Sequence, residues 1–285
     1  MTTHSSGSKT RQPDEPLRRS NVVYERTGPV VTLTLDSPVD RNALNTERMV
    51  TLAEFFDRLA TEPTLKVVLI RARGPMFCPG ADMDWLRPSK PGMDSRIDAG
   101  LTPLNAALVR LRELPAVIVA AVHGAVAGGG LGLMNLADLV IASEDTKFSL
   151  AYSRIGATPD IGATYYLTRL VGERRALELL LLSESFGVER ARELGLVNFS
   201  APAADFERTV DQLVERLACG AGDAQVAIKR LVRAAHVNEF GVQLDAERRG
   251  LVAAAQGSEF SEGVRAFVER RPTRFGDTGG QWTAA

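Results

Sequence analysis

Between Leu114 and Ala137 the chain carries no Asp, Glu, Lys or Arg. An uncharged stretch of that length belongs either inside a fold or inside a bilayer. Pro115, His123, Gly124, Gly128, Gly129, Gly130 and Gly132 break it up, which argues against one spanning helix. It reads instead as a buried strand (Val117-Ile118-Val119-Ala120-Ala121-Val122), a glycine loop, and a buried helix that begins near Gly130 and ends before Asp138. A strand that is apolar at every position is covered on both faces, as in sheets flanked by helices.

The same grammar recurs along the chain. Val30-Val31-Thr32-Leu33-Thr34-Leu35 alternates like a half-buried strand, and Asn45 to Leu59 has helical spacing through Met49, Leu52, Phe55, Phe56 and Leu59. Val67-Val68-Leu69-Ile70 and Leu139-Val140-Ile141-Ala142 are further apolar strands, and a helix opens at Asp160 or its neighbour and runs towards Leu182. Strands alternating with helices predict an α/β core. From about Asp205 the pattern turns wholly helical, through Phe206–Ala218, Ala224–His236 and Gln243–Gln256. The expected organisation is a polar, disordered tail over 1–20, a core over 21–204 and a C-terminal helical subdomain over 205–285.

Charge narrows the function. Thirty-four basic against thirty-five acidic residues leave a formal charge of −1, whereas binding to a phosphate backbone needs a strongly basic surface. No nucleic-acid partner is expected. The polar N-terminus has no apolar core of a signal peptide, no membrane association is expected, and Cys78 and Cys219 make no disulfide framework. A cytoplasmic location follows as an expectation. With three histidines in the chain and no zinc or phosphate-loop motif, no metal site is expected.

Two loops carry candidate chemistry. Ala127-Gly128-Gly129-Gly130-Leu131-Gly132-Leu133 follows a buried strand and opens a helix. Glycines let backbone N–H groups approach a ligand, and a helix N-terminus favours negative charge. A dinucleotide fingerprint fails, because its third glycine falls on Asn135. What remains is an oxyanion hole or a tight strand-to-helix turn. Phe77-Cys78-Pro79-Gly80-Ala81-Asp82-Met83 also follows a strand, so the two loops can bring two N–H donors to one point.

Asp40-Arg41-Asn42-Ala43-Leu44-Asn45, the F-C-x-G-A-D loop and H-G-x-x-x-G-G-G-L-G, in that order, resemble the landmarks of the crotonase (enoyl-CoA hydratase/isomerase) superfamily. Leu136-Ala137-Asp138, Phe148, Gly156, Pro159 and Glu193-Leu194-Gly195-Leu196-Val197 extend the likeness over about residues 21 to 275. The resemblance implies an α/β, crotonase-type spiral of ββα units, a C-terminal helical oligomerisation region, and a homotrimer or dimer of trimers. It implies an acyl-CoA thioester as the small-molecule partner. Coenzyme A is then part of the substrate, and no separate cofactor is called for. It places the oxyanion donors on the N–H groups of Ala81 and Gly129. The substrate wall falls on Phe77, Gly80, Asp82, Met83, Trp85, Gly128, Gly132 and Tyr152.

Departures from the pattern bear on the reaction. Hydratases of this family hold water with two glutamates, and the matching positions here are Gly132 and Tyr152. Neither is a carboxylate, which favours double-bond isomerisation over hydration. Asp160, in Gly156-Ala157-Thr158-Pro159-Asp160-Ile161-Gly162, matches the catalytic aspartate of family isomerases. It also precedes a helix, where a capping role is open. A dry pocket near Trp85 and Tyr152 would raise its pKa. Hydration, with Tyr152 and an ordered water replacing the glutamates, and a CoA-binding subunit with little catalysis are the alternatives. Dehalogenation would need a histidine between Asp94 and Leu114, and there is none. Cys78 as a nucleophile lacks a paired histidine. Arg41, Lys66, Arg270 and Arg271 are either phosphate contacts or surface charge.

Overall fold

The computed structural model describes residues 15–275. The first half runs β1 (Leu17–Arg19), β2 (Val22–Thr27), β3 (Val30–Leu35), α1 (Thr46–Leu59), β4 (Val67–Ala72), α2 (Met93–Arg112), β5 (Val117–Val122), β6 (Ala125–Ala127) and α3 (Gly129–Asn135). It continues with β7 (Leu139–Ser143), β8 (Lys147–Ser149), a 3₁₀ turn at Ser153–Ile155, α4 (Ala163–Val171), α5 (Glu173–Leu182), β9 (Phe186–Gly187), α6 (Val188–Glu193) and β10 (Phe199–Ala201). Four helices follow: α7 (Phe206–Ala218), α8 (Gly222–Ala234), α9 (Phe240–Ala254) and α10 (Ser258–Glu269).

The main sheet has the order β1-β2-β3-β4-β5-β7-β10. Its first three strands pair antiparallel and β3 through β10 pair parallel. Period-two alternation explains why the apolar runs show no polar face. Val68, Ile70, Ile118, Ala120, Val122, Val140 and Ala142 pack towards α1, α2 and α3. Val67, Leu69, Val117, Val119, Ala121 and Ile141 pack on the other side against Phe206, Val210 and Val214 of α7. Both faces are covered, so both registers are apolar. Strands β6, β8 and β9 form a second, smaller sheet.

Three expectations need correction. The tail over 1–20 is too long, because Leu17–Arg19 pairs with β2 as an edge strand; positions 1–14 lie outside the described residues, as do 276–285 of the C-terminal subdomain. The single helix from Asp160 to Leu182 is two helices, separated at Gly172 (ψ 162°). Its N-cap is Gly162 rather than Asp160, and no side chain bonds there. Helix α10 also lies beyond the ranges read from spacing.

The C-terminal helices differ from one another. Helix α7 buries Phe206, Val210, Val214 and Ala218, whereas α8 and α9 bury no residue completely within the chain. Helix α8 is held by charge: Asp138 accepts from Lys229 Nζ at 2.8 Å and Arg233 Nη2 at 2.6 Å, and takes the Ile118 N–H at 2.8 Å. No helix among the described residues is long and apolar enough to cross a membrane.

Candidate active site

The segment Asp40–Asn45 builds the scaffold of the site. Arg48, almost fully buried on α1, pairs with Asp40 at 2.9 Å. The buried Asn42 accepts the Ser37 N–H and donates to the carbonyls of Arg73 and Met76, at 2.8 to 2.9 Å. Asn45 caps α1 by accepting the Arg48 N–H. The two Asn42 amide bonds tie the segment before α1 to the loop after β4, and the others brace that segment against α1 itself.

Leu44 then sets the first candidate donor. It bridges Ala81 in parallel register: the Leu44 N–H donates to Gly80 O at 2.7 Å, and the Asp82 N–H donates to Leu44 O at 2.8 Å. In such a bridge the middle residue's amide points away from its partner. The Ala81 N–H is therefore turned outward and finds no acceptor among the described residues.

The second donor comes from α3. Cys78 bridges Val126, placing the 77–81 loop beside β6. Gly128, at φ 48°, turns the chain into α3, and its own N–H bonds Ser149 O at 3.0 Å. Gly129 is the first residue of the helix, where an N–H has no intrahelical acceptor. Ala81 and Gly129 line the same cleft, of about 490 Å³.

The segment 150–160 lines the same cleft. The Tyr152 hydroxyl donates to Asp160 Oδ1 at 2.6 Å. Burial raises the Asp160 pKa, and the tyrosine bond pulls against that rise. Burial first, and then the Asp160 charge, push the Tyr152 phenol up as well, so it stays a neutral donor. Beside Tyr152, the other group that bears on this carboxylate is its own backbone N–H. Asp160 is the one carboxyl group on the described cleft wall. Apart from Thr158 and Tyr152 the side chains around it are mainly apolar: Met49 from α1, Ile97 and Leu101 from α2, and Leu86 and Leu150 from loops. The helical stripe in the sequence predicted that Met49 would be buried, but it could not say that it faces a cleft.

Of the residues expected on the substrate wall, Gly80, Met83, Trp85, Gly128 and Tyr152 line the cleft. Trp85 is fixed by its Nε1–H, which donates to Thr46 Oγ1 at 3.1 Å. Three do not. Phe77 is wholly buried in the main core. Asp82 turns back to accept the N–H groups of Asp84 and Trp85, at 2.8 and 3.3 Å, and braces its loop. Gly132 is buried against the turn after Asp160: a Cβ added there would stand 2.8 Å from Ile161 Cβ and 3.0 Å from Ile161 O. No side chain fits at that position without displacing backbone.

The remaining candidates have structural duties. Cys78 is fully enclosed and burial pushes its thiol up to about 12, so it supplies no thiolate. His123 meets Gly74 O at 2.9 Å. Lys66 donates to Gly220 O at 3.1 Å, fastening the end of α7, and Arg271 binds Glu262 through two nitrogens. Neither is a free phosphate contact. Arg41 is exposed. No group of three or more His, Cys, Asp or Glu among the described residues is placed to hold a metal ion.

Residues 25–278 match the family described as enoyl-CoA hydratase/isomerase. A probable enoyl-CoA hydratase of Rhodobacter capsulatus is 34% identical over 252 residues, covering 88% of this chain and 96% of that one. The 1,2-epoxyphenylacetyl-CoA isomerase of Escherichia coli is 33% identical over 250 residues, covering 86% and 94%. Among solved structures, an enoyl-CoA hydratase from Polaromonas sp. JS666 superposes with a TM-score of 0.80 at 30% identity, covering 90% of this chain and 99% of its own. The architecture described above is the crotonase-type α/β fold of these neighbours.

Proposed function

The chain belongs to the enoyl-CoA hydratase/isomerase family, and we propose that within it the molecule is an enoyl-CoA double-bond isomerase with Asp160 as its base. One observation carries this reading: a single carboxyl group, raised in pKa and held by Tyr152, faces a mainly apolar cleft. Hydration by paired glutamates has no place for its first member, since Ile161 fills the space beside Gly132. At the second position the Tyr152 hydroxyl is already committed to Asp160.

The thioester oxygen of an acyl-CoA accepts from the N–H groups of Ala81 and Gly129. These donors stabilise the negative oxygen that forms as the α-carbon loses its proton, and each such donor is typically worth about 10²–10³ in rate. Asp160 takes that proton from C2 of a 3-enoyl-CoA as the C3=C4 double bond shifts to C2=C3. The same carboxyl group then returns a proton to C4. No atom is gained or lost. Tyr152 holds one carboxylate oxygen still and leaves the other for the transfer.

Exposed apolar side chains on the C-terminal helices support an oligomer. Ile228, Val232, Phe240, Leu251 and Phe267 are exposed on helices α8 to α10, a large apolar area for a lone chain. Their occupant in this reading is the same region of further copies, in a trimer or a pair of trimers, in the cytoplasm. Light scattering reads the copy number directly.

The test of the reaction is to supply a 3-enoyl-CoA and a 2-enoyl-CoA and follow both product mass and the ultraviolet absorbance of the conjugated thioester. The expected outcome is conversion of the 3-enoyl substrate to its conjugated isomer at unchanged mass. Addition of water to the 2-enoyl substrate would establish hydration instead. Saturable binding without turnover of either would favour a CoA-binding subunit.

A further inference from the structure

The turn that carries Asp160 has an occupant that turn chemistry disfavours. The Ala163 N–H donates to Asp160 O at 2.9 Å, and the two residues between them, Ile161 and Gly162, have φ of 47° and 71°. Positive φ at both central positions is the type I′ pattern, which prefers Asn, Asp and Gly. Gly162 suits it. Ile161 does not, because a β-branched side chain is crowded in the left-handed region. A conformation of this kind persists only where the surroundings hold it, and such positions gather at functional sites.

What holds Ile161 is α3. Gly129 and Gly132 lie three residues apart, on one face of that helix, and Ile161 occupies the room their missing side chains leave. A Cβ at Gly129 would stand 3.1 Å from Ile161 Cδ1 and 3.5 Å from Asp160 Oδ1; one at Gly132 would stand 2.8 Å from Ile161 Cβ and 3.1 Å from its Cγ2. The isoleucine is fully enclosed and lies between α3 and the turn, beside the carboxylate. Tyr152 and the buried thiol of Cys78 are the titratable groups facing that carboxylate.

We propose that Ile161 is a positioning residue: it wedges the Asp160 carboxylate against Gly129 and closes the space behind it to water, so that the proton Asp160 takes goes back to the substrate rather than to solvent. The role rests on Asp160 acting as base. The burial that raises the Asp160 pKa agrees with a sealed carboxylate.

Ile161→Gly separates the wedge from the turn, since glycine suits the backbone and empties the space. Two readouts apply: titration of Asp160 by difference infrared against Asp160→Asn, and solvent deuterium in the product of a 3-enoyl-CoA. In Ile161→Gly, Asp160 is expected to titrate at lower pH than in wild type, and the product to carry several-fold more solvent deuterium. Its kcat should fall about tenfold with KM within about twofold. Gly132→Ala alone should lower kcat by crowding Ile161. Should Ile161→Gly not fold, Ile161→Val must show both shifts at smaller size. Wild-type titration and deuterium content in Ile161→Gly would overturn the proposal and leave Ile161 as packing alone. If the wild type moves no double bond, the isomerase reading fails, while the infrared titration still decides whether Ile161 seals Asp160.

Discussion

Asp138 and Asp160 are both partly buried, but their neighbours differ in kind. Asp138 receives two cations and a backbone N–H, from Lys229, Arg233 and Ile118. Asp160 receives one neutral hydroxyl, from Tyr152, and no cation. In the first site the charge is matched and joins α8 to the sheet. Burial lowers the Lys229 pKa there, and Asp138 pulls it back up. In the second the charge is left exposed to the cost of burial, and the pKa rises. A carboxylate surrounded by cations is held for structure, whereas one enclosed without them can take up a proton.

Substitutions at each aspartate should therefore fail in different ways. Asp160→Asn should lower isomerisation by about 10²–10⁴ while leaving butyryl-CoA affinity, measured by calorimetry, near wild type. It should also raise the melting temperature at neutral pH. Burial lifts this pKa in the folded chain, so the stability linked to the bound proton is full below the unfolded pKa and is lost as pH rises through the folded one. The gain from Asn should fade on acidification. A loss of stability at neutral pH would put Asp160 in the same structural class as Asp138.

Asp138→Ala should cost about 3 kcal/mol in denaturant unfolding, because it strands two cations in a partly buried site. The turnover of the protein that remains folded should be close to normal. A neutral result would mean that the α8 contact contributes nothing net. Tyr152→Phe should have the smallest effect, about a tenfold fall in kcat for the loss of one hydrogen bond to a charged group. Since that bond pulls the Asp160 pKa down, its removal should move the acid limb of the pH–rate profile to higher pH. An unchanged limb would contradict the coupling.

The same contrast explains what the sequence could disclose. Unbroken apolar runs marked β4, β5 and β7, because strands covered on both faces carry no polar interruption. The glycine loop after β5 is legible as a tight turn for a related reason, since close backbone approach needs small residues, whereas Ala81 and Gly129 as donors rest on the family resemblance. Strands β6, β8 and β9, of two or three residues, are too short for periodicity to register. Gly132 was read correctly as lacking a carboxylate and wrongly as substrate wall, because a helical glycine does not say what lies against it. Ile161 does, and it comes 29 positions later in the chain. Phe77 belongs to the core because the loop reaches the cleft only from Pro79 onward, with Phe77 and Cys78 both enclosed. Asp82 was misplaced because its carboxylate has nearer donors in its own turn.

The most direct test of the proton shuttle uses a 3-enoyl-CoA deuterated at C2, with the product examined by NMR in ordinary water. Carriage of a measurable share of the label to C4 by the wild type, and none by Asp160→Asn, is the predicted result. Turnover of the labelled substrate by Asp160→Asn at the wild-type rate, or incorporation of water in place of label transfer, would contradict the account.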